Sequence, residues 1–232
     1  MSKRPETTLF MLMSVDGKIS TGDTDIMDVD KDFPQITGLK EGLHQYYELE
    51  QETDLFSLNT GRVFAKVGMN TLENEPEKLP VSFIVIDNQP HLNEQGVVNL
   101  SKKAEKVFLV TTNTEHPAFK LSEEYSNIIP ILYEKEINFT DLMQKLAGEY
   151  GVEKLTLQSG GTLNATLLRE GLIDKLQIVV APVLVGGKDT STLIDGESLH
   201  NKSDLLKLRP LELIQAKPLE NSYLLLEYKV LN

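Results

Sequence analysis

Nine apolar runs, each four to nine residues long, recur along the chain, and several are apolar at nearly every position rather than at alternate ones. They are Thr7–Ser14, Leu55–Leu58, Val81–Asp87, Val107–Thr112, Ile128–Leu132, Leu155–Gln158, Leu176–Leu184, Leu211–Ala216 and Ser222–Val230. A strand with one face in water alternates apolar and polar residues, so near-continuous runs predict strands covered on both faces. Helical periodicity fills the intervals. Phe33–Thr53 carries Leu39, Leu43, Tyr46 and Tyr47 at helical spacing, and Phe139–Tyr150 carries Leu142, Met143 and Leu146. Gly161–Glu170 carries Leu163, Leu167 and Leu168, with Gly171 placed to end it. Strands alternating with helices require crossover connections, hence a mostly parallel sheet between helical layers. The last quarter differs: Leu211–Ala216 and Ser222–Val230, joined at Pro218–Asn221, predict an antiparallel hairpin. With no repeat and no Pro-, Gly- or Ser-rich linker, the expectation is one three-layer α/β domain over residues 1–232.

Composition narrows the function. There are 23 Lys+Arg against 35 Asp+Glu, a net charge of −12, which argues against nucleic acid as the partner. No cysteine is present, which removes thiol nucleophiles, disulfides and Cys-ligated metals. The four His are scattered, so no metal site is expected. No apolar run approaches the ~18 residues that a membrane span needs, and the polar start is unlike a signal peptide, so a cytoplasmic protein is expected. Neither GxGxxG, GxxxxGK[ST] nor GxSxG is present. Without nucleophile or metal, the chemistry falls to a bound organic cofactor that the chain orients.

Three strand ends suit such binding. Leu157–Leu163 (LQSGGTL) runs from a strand through Gly160 and Gly161 into a helix. Two residues without Cβ allow close approach, and the first-turn N–H groups, with Thr162, face an anion at the positive helix end. The same pattern also describes a plain tight turn. Asn59-Thr60-Gly61-Arg62 repeats the arrangement, with Arg62 and Lys66 on one helix face. Met13–Ile19 (MSVDGKI) ends a strand in Asp16-Gly17, first of all a turn signal. Asp87-Asn88 and Thr111–Asn113 end two further strands. In open parallel sheets ligands gather at the carboxyl ends of strands, so one shared cleft is expected.

The opening LFMLMSVDGKIS and the stretch LQSGGTLNATLLREGLIDKLQIVVAPVLVGG together resemble the reductase domain of riboflavin biosynthesis, the C-terminal half of RibD-type proteins. The resemblance implies a dihydrofolate-reductase-like fold, NADPH as cofactor and reduction of the ribosyl group of a phosphoribosylamino-pyrimidine, as by 5-amino-6-(5-phosphoribosylamino)uracil reductase. It also implies a homodimer. By motif it puts Gly160, Gly161, Thr162 and Leu163 at the cofactor diphosphate, Met13 beside the nicotinamide, Asn88 near the adenosine ribose and Gly61 on the cofactor side. Gln158 stands where family members often carry Glu and is assigned with Arg62 to the substrate. Asp16 is the candidate proton donor. Neutral side chains at Asn88, Thr111, Thr112 and Asn113 are the donors available to a 2′-phosphate. The alternatives are a dihydrofolate or pteridine reductase, anchored by Glu41 or Glu48, and a nucleotide-binding relative without catalysis.

Overall fold

The computed structural model describes residues 3–231. The chain forms two compact units, Asp54–Ser159 with the residues up to Pro5, and Glu6–Thr53 with Gly160–Asn232. It passes between them three times, so neither unit is one continuous segment.

The first unit holds five strands: β2 (Phe56–Thr60), β3 (Ser82–Ile86), β4 (Val107–Thr111), β5 (Ile128–Leu132) and β6 (Lys154–Leu157). All its pairings are parallel, in the order β5-β4-β3-β2-β6. Every residue of β4 is buried, as its unbroken VFLVT predicts. Val107 and Leu109 pack with Val97 and Leu100 of α4 (Glu94–Lys103) and with Ala118 and Leu121 of α5 (Ala118–Leu121). Phe108, of opposite parity, meets Tyr150 just beyond α6 (Phe139–Gly148), ring centroids 4.8 Å apart. Helical layers therefore cover both faces. The unit's remaining helix is α3 (Gly61–Lys66), directly after β2.

The second unit holds β1 (Glu6–Ser14), β7 (Lys175–Ala181), β8 (Leu211–Pro218) and β9 (Leu224–Val230) in the order β1-β7-β9-β8. β1 and β7 are parallel, and β9 is antiparallel to both β7 and β8. The mostly parallel sheet with a C-terminal antiparallel pair is the fold class that the sequence predicts. Phe10, Leu12, Val179, Ala181 and Leu225 form a core with Phe33, Leu39, Leu43 and Tyr46, and Phe10 stacks on Tyr46 at 5.1 Å. The unit's helices are α1 (Val29–Asp32), α2 (His44–Gln51) and α7 (Gly161–Arg169).

The long helix expected over 33–53 is the main local correction. Only Phe33–Gln35, a 3₁₀ turn, and α2 are helical there. Gly38 takes φ +94°, and Gly42 is pressed by the Tyr223 ring, where a Cβ would lie 2.6 Å from Cδ2. The Tyr223 hydroxyl donates to the Leu39 carbonyl at 2.9 Å. The intervening residues thus keep their apolar spacing as turns tied to the C-terminal hairpin. β7 likewise stops at Ala181, because Pro182 lacks an N–H and Val183 turns back to donate to the Ala181 carbonyl at 2.8 Å.

Candidate functional site

In the second unit the two motif segments meet a third stretch, residues 183–195. The Val15 N–H donates to the Val183 carbonyl at 2.9 Å, Ile19 N–H to Ser191 at 3.0 Å and Leu193 N–H to Gly17 at 3.0 Å. Gly17 holds φ +79°, the conformation a turn of this kind requires of glycine. Buried Lys18 donates its Nζ to the carbonyls of Gly187 at 2.7 Å and Thr190 at 2.8 Å. From the other side, Asp195 N–H donates to the Gly161 carbonyl at 3.0 Å, and the Asn164 Nδ2 donates to the Leu193 carbonyl at 2.9 Å. Residues 14–19 and the first turn of α7 are therefore both laced to the 183–195 strap.

This geometry separates two glycines that look equivalent in sequence. A Cβ on Gly161 would sit 2.2 Å from the Thr192 carbonyl oxygen and 2.4 Å from the Asp195 carboxylate. Packing of the strap alone explains that glycine. Gly160 is different: φ is an ordinary −73°, the residue is exposed, and nothing lies within 4 Å of where its Cβ would be. Nothing in the fold demands glycine there. The open space lies beside the start of α7, whose N-cap Gly160 offers no side-chain cap and whose Thr162 is exposed. A residue without Cβ at an uncapped helix start fits the close approach of a phosphate oxygen.

Asp16 has a structural task. Its carboxylate accepts from the Ser14 hydroxyl at 2.6 Å, Val185 N–H at 3.0 Å and Gly186 N–H at 2.6 Å. The Ser14 hydroxyl, then these two amides, hold its pKa down at about 2. These three donors tie the carboxylate to the 183–195 strap and hold the turn after β1 in place. Met13 is partly buried, opposite Val180 in the β1–β7 register, at the strand end that leads into this turn. Leu163 is partly buried in the first turn of α7.

In the first unit Gly61 is explained by packing. Its Cβ would fall 2.2 Å from Cγ of Asp87, so the start of α3 lies against that carboxylate. Asp87 itself is fully buried and accepts from His91 N–H at 3.0 Å, Leu92 N–H at 3.1 Å, His91 Nδ1 at 3.1 Å and His116 Nε2 at 3.2 Å. Ala118 N–H donates to His116 Nδ1 at 3.1 Å, which puts the neutral imidazole's proton on Nε2, facing Asp87. Burial pushes the Asp87 carboxyl up, but His116 and the two amides outweigh it, and the net shift is downward. These His partners are invisible in sequence, 4 and 29 residues away.

Asn88 is exposed, and its Oδ1 accepts Thr112 N–H at 3.0 Å. Thr111 is fully buried and its hydroxyl donates to the Asp87 carbonyl at 2.8 Å. Asn113 uses its Oδ1 on Glu115 N–H. Gln158 directly follows β6, with its Oε1 accepting from the Ser57 hydroxyl at 3.0 Å, and Ser57 in turn accepts from Asn59 Nδ2 at 2.9 Å. Arg62 is exposed on α3. Of the two acids considered for a pterin, Glu41 accepts from Gly38 N–H within its own turn and Glu48 is exposed.

The model of the RibD C-terminal domain matches residues 5–220, across both units. The chain belongs to that family. A 2,5-diamino-6-ribosylamino-4(3H)-pyrimidinone 5′-phosphate reductase of Methanothermobacter thermautotrophicus is 29% identical over 88% of this chain and 90% of its own. The RibD protein of Actinobacillus pleuropneumoniae is 27% identical over the whole chain, which spans only 58% of that protein. Among solved structures, Acinetobacter baumannii RibD matches with a TM-score of 0.68 at 15% identity, covering 99% of this chain and 59% of its own. A riboflavin biosynthesis reductase of Saccharomyces cerevisiae gives 0.62 at 14% identity, covering 98% and 90%. The fold is thus the one these reductases share, and curated relatives of this chain are by name reductases of riboflavin biosynthesis. Among the described residues no helix is long and apolar enough to cross a membrane.

Proposed function

We propose that the protein is an NADPH-dependent reductase of a phosphoribosylamino-pyrimidine in riboflavin biosynthesis, acting in the cytoplasm as a homodimer. Gly160 carries the reading: family membership calls for a nucleotide cofactor, and this glycine, at a strand-to-helix turn, is one the fold does not itself require. The Gly160–Leu163 segment holds the diphosphate on the first-turn amides of α7, and Thr162 adds a hydroxyl. The strap fixes those amides in place before ligand arrives, which lowers the entropy cost of binding. The family motif assigns Met13 to the nicotinamide, Asn88 to the adenosine ribose, and Gln158 with Arg62 to the substrate. When bound, the nicotinamide supplies the hydride, and the chain's contribution is orientation of donor and acceptor. Asp16 serves by keeping Ser14–Lys18 against Val185-Gly186, and the proton comes from water.

The substrate is tested by following loss of reduced nicotinamide absorbance with the diaminopyrimidinone ribosyl phosphate, the corresponding aminouracil, dihydrofolate, and no substrate. Turnover on either phosphoribosylamino-pyrimidine alone is the expected result. Turnover on dihydrofolate alone, or NADPH binding with no turnover at all, contradicts it.

A further inference from the structure

The strand order of the first unit reverses at β2. From β2 the chain steps outward through β3, β4 and β5, and then lays β6 on the other side of β2. Ligands of parallel sheets settle outside the carboxyl ends of the strands at such a switch point. Here those ends carry Asn59 on β2 and Gln158 just past β6. Ser57 pairs with Thr156 and Leu58 with Leu157, and Gln158 N–H donates to the Leu58 carbonyl at 2.9 Å. Side chains alternate along a strand, so Ser57, Asn59, Thr156 and Gln158 share one face, with Leu58 and Leu157 on the other. Ser57, Asn59 and Thr156 are buried, and a buried polar face is costly unless its groups are bonded.

The bonds on this face have a direction. Thr156 spends its hydroxyl on Asp54, accepting from its N–H at 3.1 Å and donating to its carboxylate at 3.0 Å. Asn59 Nδ2 donates to the Ser57 oxygen at 2.9 Å, and a serine hydroxyl has a single hydrogen of its own. That hydrogen goes to Gln158 at 3.0 Å, where only Oε1 can receive it. The acceptor end of the amide is thus held by buried Ser57, and the amide meets a ligand through Nε2. Nε2 carries two N–H bonds, so it can keep a protein partner and still donate to a ligand. A donor here separates the two phosphoribosylamino-pyrimidines, which differ at ring carbon 2. The diaminopyrimidinone bears an amino group there, itself a donor, whereas the aminouracil bears a carbonyl oxygen, an acceptor. Nε2 completes a bond with the carbonyl and sets donor against donor with the amino group. An ionised glutamate, which only accepts, has the opposite preference.

We infer that Gln158, oriented by Ser57 and Asn59, selects the uracil form of the substrate by donating Nε2–H to its ring carbonyl. This assignment rests on the reductase reading above and narrows it to one pyrimidine. Steady-state kcat/KM at saturating NADPH tests it, with the ribosyl phosphates of the aminouracil and of the diaminopyrimidinone, in the parent, Gln158→Glu and Ser57→Ala. The parent is expected to favour the aminouracil about tenfold or more. Gln158→Glu has the same shape, accepts from Ser57 with one oxygen and presents the other, so the preference inverts. Ser57→Ala removes the hydrogen that fixes the amide, and the ratio of the two kcat/KM values falls toward one. Damage to the fold alone would lower both values and leave their ratio where it was. A parent that turns over neither compound overturns the reductase reading and this assignment together. A parent that uses both equally or favours the diaminopyrimidinone overturns the assignment alone, as does a Gln158→Glu enzyme with the parent's preference. A ratio unmoved in Ser57→Ala overturns the positioning role of Ser57.

Discussion

At the scale of single residues, the two adjacent glycines make opposite predictions. Gly160→Val places its Cβ where nothing lies within 4 Å, and the melting temperature is expected to stay close to the parent's, while NADPH affinity falls about tenfold or more, about 1.4 kcal/mol, as the branched side chain fills the phosphate approach. Gly161→Ala drives a Cβ against the Thr192 carbonyl, and a loss of roughly 1–3 kcal/mol in stability is expected by urea denaturation. Calorimetric titration beside the melts separates the two effects, and equal NADPH binding by Gly160→Val would remove the diphosphate from that turn. Asp16 gives a pH prediction. Its carboxyl is lowered to about 2, so the stability it contributes is present above its unfolded pKa of about 4 and is lost as pH falls toward 2. Reductase activity between about pH 5 and 9 therefore shows no titration from Asp16, and Asp16→Asn leaves the shape of that pH profile unchanged. Were Asp16 the proton donor, the profile would lose a limb and kcat would fall about 10²–10⁴-fold. Sequence showed this Asp-Gly turn but not its partners, because the amides of Val185 and Gly186 lie 169 and 170 residues away.

At the scale of elements, the strands were legible because burial on both faces leaves an unbroken apolar run, as in VFLVT of β4. Between Phe33 and Thr53 the apolar spacing that predicts one long helix survives in turns instead, because Gly38 at φ +94° and Gly42 under the Tyr223 ring interrupt it. Asp87 marks where local reading ends. In sequence it is a strand-end residue after β3, yet it lies against the start of α3 and accepts from the 91–92 turn and from His116 ahead of α5. Asp87→Ala strands buried His116 Nε2–H and the Leu92 amide without acceptors, and a loss of about 2–4 kcal/mol is expected in chemical denaturation. With its folded pKa lowered, the Asp87 contribution is full above about pH 4 and declines below it, so the difference between parent and variant shrinks as pH falls through the acid range. A difference that grows toward low pH would contradict this account of the cluster.

At the scale of the whole molecule, the chain interleaves two α/β units and a family model spans both, so the fold is carried by the full length rather than by either motif. The long Gly-Gly-to-Gly-Gly stretch, Gly160–Gly187, was the most informative part of the sequence, since it contains one wall of the candidate cofactor site together with the strand behind it. The strap at 183–195 was only half legible, because buried Lys18 and Asn164 reveal their carbonyl partners in three dimensions alone. The exposed face of β8 was hidden too: LELIQAKP reads as an ordinary half-buried strand. The proposed hydride transfer from NADPH to a phosphoribosylamino-pyrimidine is measured by stoichiometric oxidation of NADPH on addition of that substrate to the purified protein. One NADPH consumed per ribityl product formed is expected, with NADH slower and no oxidation without the pyrimidine. NADPH that binds but is never oxidised by either phosphoribosylamino-pyrimidine would contradict it.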